Sequence, residues 1–286
     1  TYCWSPDGKW FALEFIGNGH DPYTDIGLVS ADGKGQIFNL TGSGYFSSSP
    51  RWVMDGNALL FSTERYGMRS HASWGSLEDV MLVFLNQDAY DRYRLSKEDY
   101  ELQKQEKAEA DKDKKDKDDD KDKKDGDKKD EVKLIEVELD GIEDRIVRLT
   151  PNSSRLGDAI LSADGESLYY MSAFEGGFDL WKMDLRKHDT KLLKKMDAGW
   201  ASLTLDKKGD NLFILSGRSM QKMNTKSDKL ESITYRAEMK MDLAEERAYM
   251  FDHVYKQEKK RFYNLNMHGV DWDKMSAAYR KFLPHI

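Results

Sequence analysis

A histidine with two nearby aspartates is the group of side chains in this sequence with the clearest chemical potential. His268 lies in the segment MHGVDWD, where Asp271 and Asp273 follow it closely. Histidine and aspartate can activate a serine in acyl transfer, but such a site is defined by its geometry in space and not by proximity along the chain. Gly269 and Asp271 also suit a turn followed by a helix cap. We therefore expect a structural role for this segment.

The other candidate nucleophiles lack the partners that catalysis needs. Ser47, Ser48 and Ser49 do not lie in the strand–turn–helix context of a GxSxG nucleophile. Cys3, beside Trp4, is expected to be a small buried side chain, because no activating base is evident. The remaining candidate histidines are interpreted as structural: His188, His253 and His285. We assign no catalytic, cofactor-binding or metal-binding residue, and we expect no cofactor.

Two segments resemble ligand-binding loops without completing the pattern. Gly17 and Gly19 form a Gly-x-Gly, but no helix follows to complete a phosphate cradle. Asp118, Asp120 and Asp122 alternate as calcium ligands do, but a helix–loop–helix calcium site also requires a central glycine and a distal glutamate. The lysines interleaved through this part of the chain would also repel a cation. We expect neither a phosphate site nor a calcium site.

The overall composition excludes several classes of function. The 286 residues contain 45 Lys and Arg against 52 Asp and Glu, which gives a formal net charge of −7. Binding along a nucleic-acid backbone requires a concentrated basic surface, and a membrane-spanning helix requires about 20 apolar residues. We therefore expect neither a nucleic-acid nor a membrane partner. No signal peptide is visible at Thr1, and the single cysteine leaves the compartment, cytoplasmic or periplasmic, undetermined.

Residues 111–130 form a low-complexity run of ten Asp, nine Lys and one Gly. Such a run cannot bury apolar surface, so nothing offsets the entropy that would be lost on ordering it. We expect a solvated loop without a fixed conformation. The aromatic-rich sequence on either side of the run is typical of a globular protein.

A phrase that begins Ser-Pro-Asp-Gly at Ser5 recurs along the chain. Its copies place glycines at turns between two apolar stretches, at Gly8, Gly56, Gly165 and, in a weaker copy, Gly209. Asp-Gly favours hairpins because both central residues of a type I′ turn need a positive φ. A second hairpin follows each copy, so each unit has four alternating strands, as in a β-propeller blade. The first and last spacings of 48 and 44 residues suit such blades.

The second of these units is interrupted by an insertion, which we place at about residues 88–132. Asp79–Leu85 is predicted as the third strand of the unit, and Asp144–Thr150 as the fourth. A helix is predicted over 97–104 and an extra strand over 133–139. A rigid scaffold tolerates such an insertion because the entropy of closing a loop grows only logarithmically with its length.

The pattern changes from strands to helices near residue 240. Apolar side chains have helical spacing over residues 243–262, and Asp242 is a candidate N-cap. After a turn, Asp271 can cap a second helix over residues 272–282. Two helices are too few to form a core, so their apolar side chains should be only partly buried. These side chains are Phe251, Tyr255, Phe262 and Trp272.

The observations together predict a mainly β fold, namely a partial β-propeller of four-stranded blades followed by a short α-helical segment. We assign residues 1–239 to four blades and residues 240–286 to the start of a helical core domain.

Three parts of the sequence resemble known families. The phrase SPDGK at Ser5–Lys9 resembles the propeller repeats of TolB-type proteins. Residues 261–272, RFYNLNMHGVDW, and Tyr279–Pro284 resemble the opening of the helical core domain of tricorn-like serine peptidases. Residues 140–150 are similar to the second propeller of that family. Its catalytic histidine and serine lie further along the chain than this sequence reaches, so no catalytic residue is carried over.

The resemblance implies a function in proteolysis. We expect a non-catalytic propeller and linker portion of a tricorn-like serine endopeptidase, which guides or restricts the access of peptides or unfolded polypeptides to a serine active site outside this chain. The family also implies a homo-oligomer of the full-length protein. Two alternatives stay open: a TolB-type propeller that docks a protein partner, and a propeller glycosidase with paired carboxylates at the axis. The helical continuation past Phe262 favours the peptidase.

Overall fold

The computed structural model of the chain describes residues 1–17, 23–70, 75–106, 134–217 and 219–286. These residues form two compact units, Thr1–Ile233 and Thr234–Ile286. The first unit contains four antiparallel sheets, each of four strands. The predicted mainly β fold of propeller blades followed by helices is confirmed.

Each blade uses four consecutive strands, and each strand pairs with the next one along the chain. Blade 1 consists of β1 (Tyr2–Trp4), β2 (Trp10–Phe15), β3 (Asp25–Ser30) and β4 (Phe38–Asn39). Blade 2 consists of β5 (Ser47–Val53), β6 (Ala58–Thr63), β7 (Asp79–Phe84) and β8 (Ile146–Arg148). Blade 3 consists of β9 (Arg155–Leu161), β10 (Ser167–Ala173), β11 (Phe178–Asp184) and β12 (Asp189–Ala198). Blade 4 consists of β13 (Ser202–Leu205), β14 (Asn211–Ser216), β15 (Ser219–Asn224) and β16 (Leu230–Ile233).

The first strand of each blade is its innermost strand, since β1 lies beside β5 and β9 lies beside β13. Apolar clusters between neighbouring blades hold this array together. Successive side chains of a strand point to opposite faces of the sheet. In β6, Leu59 therefore packs toward blade 1 and Leu60 toward blade 3. In β10, Tyr170 packs toward blade 2 and Tyr169 toward blade 4.

This two-sided packing explains why the central strands are apolar at consecutive positions. All six positions of β7 are buried. Each fully buried Leu, Val or Phe side chain contributes about 1.5–3 kcal/mol relative to an exposed one. Blades 2 and 3, which are covered on both faces, therefore form the most strongly packed part of the molecule.

The outer face of blade 1 is apolar but exposed. Tyr2 and Trp4 of β1 are 70% and 56% exposed, and both rings contact the ring of Phe11. Cys3 and Ala12 point the other way and pack toward blade 2. Blade 1 is thus covered by a neighbouring blade on one face, as a partial propeller requires.

The Asp-Gly turns occupy equivalent hairpins, between the first and second strands of successive blades. In blade 1, Gly8 N donates to Ser5 O, and Asp7 Oδ1 accepts the backbone N–H of Lys9 at 3.0 Å. The predicted equivalence is confirmed, but the type I′ conformation is wrong for blade 1. Gly8 has a φ of +68°, whereas Asp7 does not have a positive φ, because its side chain closes the turn by accepting a backbone N–H.

A buried aspartate begins the third strand in blades 1 and 2. Asp25 and Asp79 are 5% and 0% exposed. Asp25 Oδ1 accepts from Thr41 Oγ1 at 2.8 Å, and Asp79 Oδ1 accepts from Thr150 Oγ1 at the same distance of 2.8 Å. The Leu-Thr pair after the fourth strand is therefore repeated because its hydroxyl satisfies a buried carboxylate.

The insertion in blade 2 begins with a helix that the sequence analysis did not predict. This helix, α1 (Gln87–Arg94), is capped by Asn86, whose side chain accepts from Ala89 N. Residues 97–106 are helical as predicted, and we call this helix α2. The run over 111–130 lies outside the described residues.

The end of the insertion differs from the prediction. Residues 134–139 form no strand; the backbone N–H of Glu138 donates to Leu85 O at 2.7 Å, but no ladder follows. The predicted fourth strand is shortened to β8, because residues 142–145 form a 3₁₀ turn. The predicted third strand is confirmed by β7.

The second unit contains both predicted helices, α3 (Leu243–Arg261) and α4 (Trp272–Arg280). Asp242 caps α3 by accepting from two backbone N–H groups, and Asp271 caps α4 by accepting from Lys274 N at 3.0 Å. None of residues 234–286 is buried. The expected partial burial is confirmed for Phe251, Tyr255, Phe262 and Trp272.

Candidate functional site

A cavity of about 210 Å³ lies between blades 2 and 3, at their innermost strands. Its polar walls come from both blades: Ser48, Arg51, Ser62 and Glu78 of blade 2, and Asp158 of blade 3. Apolar side chains complete it, including Leu60 and Leu156. The cavity therefore combines charged groups with an apolar surface, which is typical of sites that hold one small group.

Both inner strands are interrupted beside this cavity. In β5, the pairing with β6 shifts register between Ser48 and Arg51, and Ser49 has a φ of +57°. In β9, the partner of Met171 is Asp158 and the partner of Ser172 is Leu156, which leaves Gly157 outside the ladder. Bulges bend a strand, re-aim its side chains and are common next to functional sites. Two bulges border this cavity.

One ion pair at the cavity links three blades. Arg51 Nη2 lies 2.8 Å from Asp158 Oδ1, and Arg51 Nη1 donates to Ala159 O at 3.1 Å. The second carboxylate oxygen of Asp158 accepts from Leu203 N of blade 4 at 2.7 Å. The charges of Arg51 and Asp158 neutralise each other, so this pair stabilises the position of the inner strands.

Glu78 is the charged side chain of the cavity without such compensation. No described residue forms a salt bridge with it or donates a hydrogen bond to its carboxylate. Burial, with a smaller contribution from the negative charge of Glu64, raises the pKa of Glu78 to about 7. Carboxyl groups with a strongly raised pKa are concentrated at functional sites, since burial of an unpaired charge destabilises the fold.

The three serines considered as nucleophiles stabilise the innermost strand. Ser47 Oγ lies 3.2 Å from Thr63 Oγ1, and Ser48 Oγ lies 2.8 Å from Ser62 Oγ. The backbone N–H of Ser49 donates to a Glu14 oxygen at 2.6 Å. Within the described part of the chain, no histidine hydrogen-bonds to any of them.

His268, the histidine considered as a catalytic candidate, lies in a turn of the helical unit. His268 has a φ of +53° between α3 and α4, and its ring hydrogen-bonds to the Tyr263 hydroxyl. Asp273 instead binds Lys259 Nζ at 2.6 Å, and Asp271 caps α4. The structure thus places the three groups in different interactions.

The other residues considered as catalytic candidates lie in turns, helices or buried contacts, where the structure describes them. The Cys3 thiol donates to Pro50 O at 3.1 Å, and burial raises its pKa. His188 lies in the turn between β11 and β12, and His253 lies on α3. The alternating aspartates at 118–122, for which no calcium site is expected, and part of the Gly17–Gly19 loop lie outside the described residues.

The described residues also bear on metal binding and membrane crossing. No three His, Cys, Asp or Glu side chains among them come together in a group able to hold a metal ion. None of their helices has the length and apolar character needed to cross a membrane.

Arg51, Glu78 and Asp158 were not among the candidate residues that the sequence pattern indicated. One signal in the sequence could have indicated Glu78. It appears when the repeats are aligned at the aspartate of the third strand. The preceding residue is Thr24 in blade 1, Glu78 in blade 2 and Phe178 in blade 3. Glu78 is the charged residue of the three, at a position that faces the next blade. Its meaning depends on the bulges of β5 and β9, which the sequence pattern does not indicate.

Comparison with known proteins identifies the family that the helical unit resembles. Residues 243–286 match the family model described as Tricorn protease C1 domain. The resemblance to tricorn-like peptidases is confirmed. No curated protein matches this sequence. The tricorn-like match covers the helical unit, which is the part of the chain whose motifs carried the sequence resemblance.

The fold of the whole chain is similar to folds of known structure. The crystal structure of the tricorn protease aligns with 99% of this chain, at a TM-score of 0.64 and 12% identity. At this identity the alignment shows the fold. TolB from Acinetobacter baumannii aligns with 82% of this chain and 43% of its own (TM-score 0.49, 11% identity). A putative TolB from Agrobacterium tumefaciens aligns with 81% and 63% (TM-score 0.47, 15% identity). The present chain spans 27% of the tricorn protease chain.

Proposed function

We propose that this chain is the propeller and linker portion of a tricorn-like serine endopeptidase. In this proposal, residues 1–239 form blades that guide or restrict peptide substrates, and residues 240–286 begin the helical core domain. The observation that carries the proposal is the match of residues 243–286 to the Tricorn protease C1 domain, directly after four propeller blades.

The proposal assigns hydrolysis to residues outside this chain. Acyl transfer by a serine needs a nucleophile, a base within hydrogen-bond reach and donors for the oxyanion. Among the described residues, the hydrogen-bond partner of the His268 ring is a tyrosine, and no serine hydroxyl is within reach of it. We therefore expect the isolated chain to bind peptides without cleaving them.

The innermost strands have features that suit contact with an extended polypeptide. The bulges at Ser49 and Gly157 interrupt the ladders of β5 and β9. The neighbouring cavity adds hydroxyl groups, charges and apolar surface. A surface of this kind can contact both the side chains and the backbone of a peptide without demanding one sequence, which is what a guiding role requires.

A direct test compares the isolated chain with the full-length gene product on unstructured peptides. We expect steady hydrolysis by the full-length protein, inhibition by a serine-directed phosphonate, and no turnover by residues 1–286. Turnover by the isolated chain that survives repurification and that His268→Ala abolishes would contradict the proposal. Size-exclusion chromatography with light scattering on the full-length protein would test the expected homo-oligomer.

A second test addresses the guiding role. In the full-length protein, Ser49→Cys places a thiol on the innermost strand, and Ser227→Cys places one on the exposed turn between β15 and β16. Coupling a bulky polyethylene glycol maleimide to Cys at position 49 should lower kcat/KM for long unstructured peptides about tenfold and leave a tripeptide substrate unaffected. The same coupling at position 227 should change neither rate. Equal effects at the two positions would count against guidance by the inner strands.

A further inference from the structure

We propose that the cavity between β5 and β9 binds the basic side chain of an extended peptide, with the Glu78 carboxylate as its counter-charge. The ligand class is an organic cation at the end of an aliphatic chain, as in lysine. This inference rests on the proposed function for the source of the peptide, whereas the binding itself needs no peptidase activity.

The charges that face the cavity are arranged to favour a cation. Arg51 and Asp158 neutralise each other at 2.8 Å. On blade 2, Glu78 lies near enough to Glu64 for the second carboxylate to raise the pKa of the first. Within the described residues, Glu78 has no salt-bridge partner. The remaining charge is therefore negative, and an entering ammonium group would replace the missing partner.

The shape of the cavity favours a single long side chain. Its volume of about 210 Å³ is below the range of roughly 300–1,000 Å³ that is typical of sites for whole small molecules. Leu60 and Leu156 can contact a methylene chain, because long basic side chains pack their stems on apolar surface and keep their charged ends near polar groups. The hydroxyls of Ser48 and Ser62 offer acceptors to the ammonium group.

The location of the cavity favours a peptide over an isolated ion. Ca²⁺ and Mg²⁺ take about six or more oxygen ligands, and the described part of the chain offers no group of three metal-binding side chains. The bulges of β5 and β9 lie at the innermost strands, where an extended chain in contact with these strands could project one side chain between the blades.

Binding should depend on pH through Glu78. Its pKa is raised to about 7, so most of the carboxylate is neutral at pH 6 and ionised at pH 8. The lysine ammonium group keeps its charge in this range, since its ordinary pKa is about 10.4. The affinity for a lysine peptide should therefore increase by about tenfold between pH 6 and pH 8.

The test is calorimetric titration of residues 1–286 with acetyl-Gly-Lys-Gly-amide at pH 8. The neutral comparison ligand is the same peptide with norleucine in place of lysine. We expect Glu78→Gln to weaken lysine-peptide binding at least tenfold. The matched control is Glu175→Gln, which removes the same charge from an exposed position in the turn between β10 and β11 and should leave binding unchanged. Thermal unfolding of both variants checks that they fold.

Three results would overturn the inference: no binding of the lysine peptide at millimolar concentration, equal binding of the norleucine peptide, or wild-type affinity in Glu78→Gln. Calcium titration separates a metal site from the proposed one, since calcium binding that excludes the lysine peptide would assign the cavity to a metal. If the lysine peptide binds at Glu78 but the full-length protein hydrolyses no peptide, the proposed function fails and the cation site stands.

Discussion

Glu78 and Asp79 are adjacent carboxylates with opposite surroundings. Asp79 is fully buried, accepts hydrogen bonds from Thr150 and Ser153, and pairs with Arg148 at 2.8 Å. Glu78 points to the other face of the sheet and borders the cavity. The alternation of a strand therefore places one carboxylate in a complete structural network and its neighbour in a cavity where no described side chain pairs with it.

Removing the Asp79 carboxylate should destabilise the fold. We expect Asp79→Ala to lower the free energy of unfolding by about 3 kcal/mol, because it leaves the buried Thr150 hydroxyl and Arg148 without their acceptor. Denaturant titration measures this loss. Asp144→Ala, at an exposed position, is the control and should stay within about 0.5 kcal/mol. Equal effects of the two substitutions would contradict the role of Asp79.

Glu78 should make stability depend on pH. Its pKa is about 7 in the folded protein and about 4.3 in an unfolded chain, so the folded state holds the proton more tightly. The contribution to stability is fully present below pH 4 and decreases as the pH rises to about 7. We expect Glu78→Gln to match the wild type near pH 4 and to exceed it at pH 8 by on the order of 1–3 kcal/mol. Denaturant titrations across this pH range measure the difference in unfolding free energy between Glu78→Gln and the wild type. A difference that does not change with pH would contradict the prediction.

At the scale of elements, the two ends of the insertion in blade 2 are tied to blades 3 and 1. Arg186 of blade 3 donates to Tyr93 O of α1 at 2.6 Å and lies 3.9 Å from the centre of the Tyr100 ring of α2. At the other end of the insertion, Ile135 N donates to Asp7 of blade 1 at 2.9 Å. The ends of the insertion therefore belong to the packed structure, whereas the composition of residues 111–130 predicts no packing.

Deleting residues 111–130 should hardly change stability. We expect a change within about 0.5 kcal/mol, because a run without apolar side chains contributes almost no buried surface. Thermal and denaturant unfolding of the deletion variant measure the change. A loss above about 2 kcal/mol would indicate that the run folds or docks.

Substitutions at the C-terminal end of the insertion, by contrast, should change stability. Ile135 packs closely against Gly56 and joins the apolar cluster between blades 1 and 2. We expect Ile135→Ala to lower the free energy of unfolding by about 1–2 kcal/mol, below the 2–5 kcal/mol typical of full burial because Ile135 is only partly buried. Leu134→Ala is the matched control, since Leu134 is 68% exposed. Denaturant titration measures both variants, and equal free energies of unfolding for the two would contradict this packing.

At the scale of the whole molecule, the two units differ in how much they bury. Blades 2 and 3 are covered on both faces, whereas the helical unit contains no buried residue. Several of its apolar side chains are exposed, such as Leu265 at 97% and Phe282 at 61%. Large exposed apolar side chains of this kind are typical of surfaces that contact another protein or domain.

Hydrogen exchange should report this difference. We expect the slowest amide exchange in β6, β7 and β10, and exchange faster by several orders of magnitude in α3 and α4, because helices without fully buried residues open without unfolding the blades. Mass spectrometry of exchanged peptides measures both units in one experiment. Equal protection of α3 and β7 would show that the helical unit is stabilised by contacts beyond its own.

The sequence by itself determined the features that depend on neighbouring residues. The approximate positions of the strands, the positions of the Asp-Gly turns and the caps Asp242 and Asp271 were predictable, because each follows from residues a few positions apart. The extra strand over 133–139 was wrong because a strand also needs a partner edge. Only the tertiary structure decided the cavity at Glu78. Its walls come from two blades more than 70 positions apart in the chain, and its space comes from two bulges whose register depends on packing between sheets.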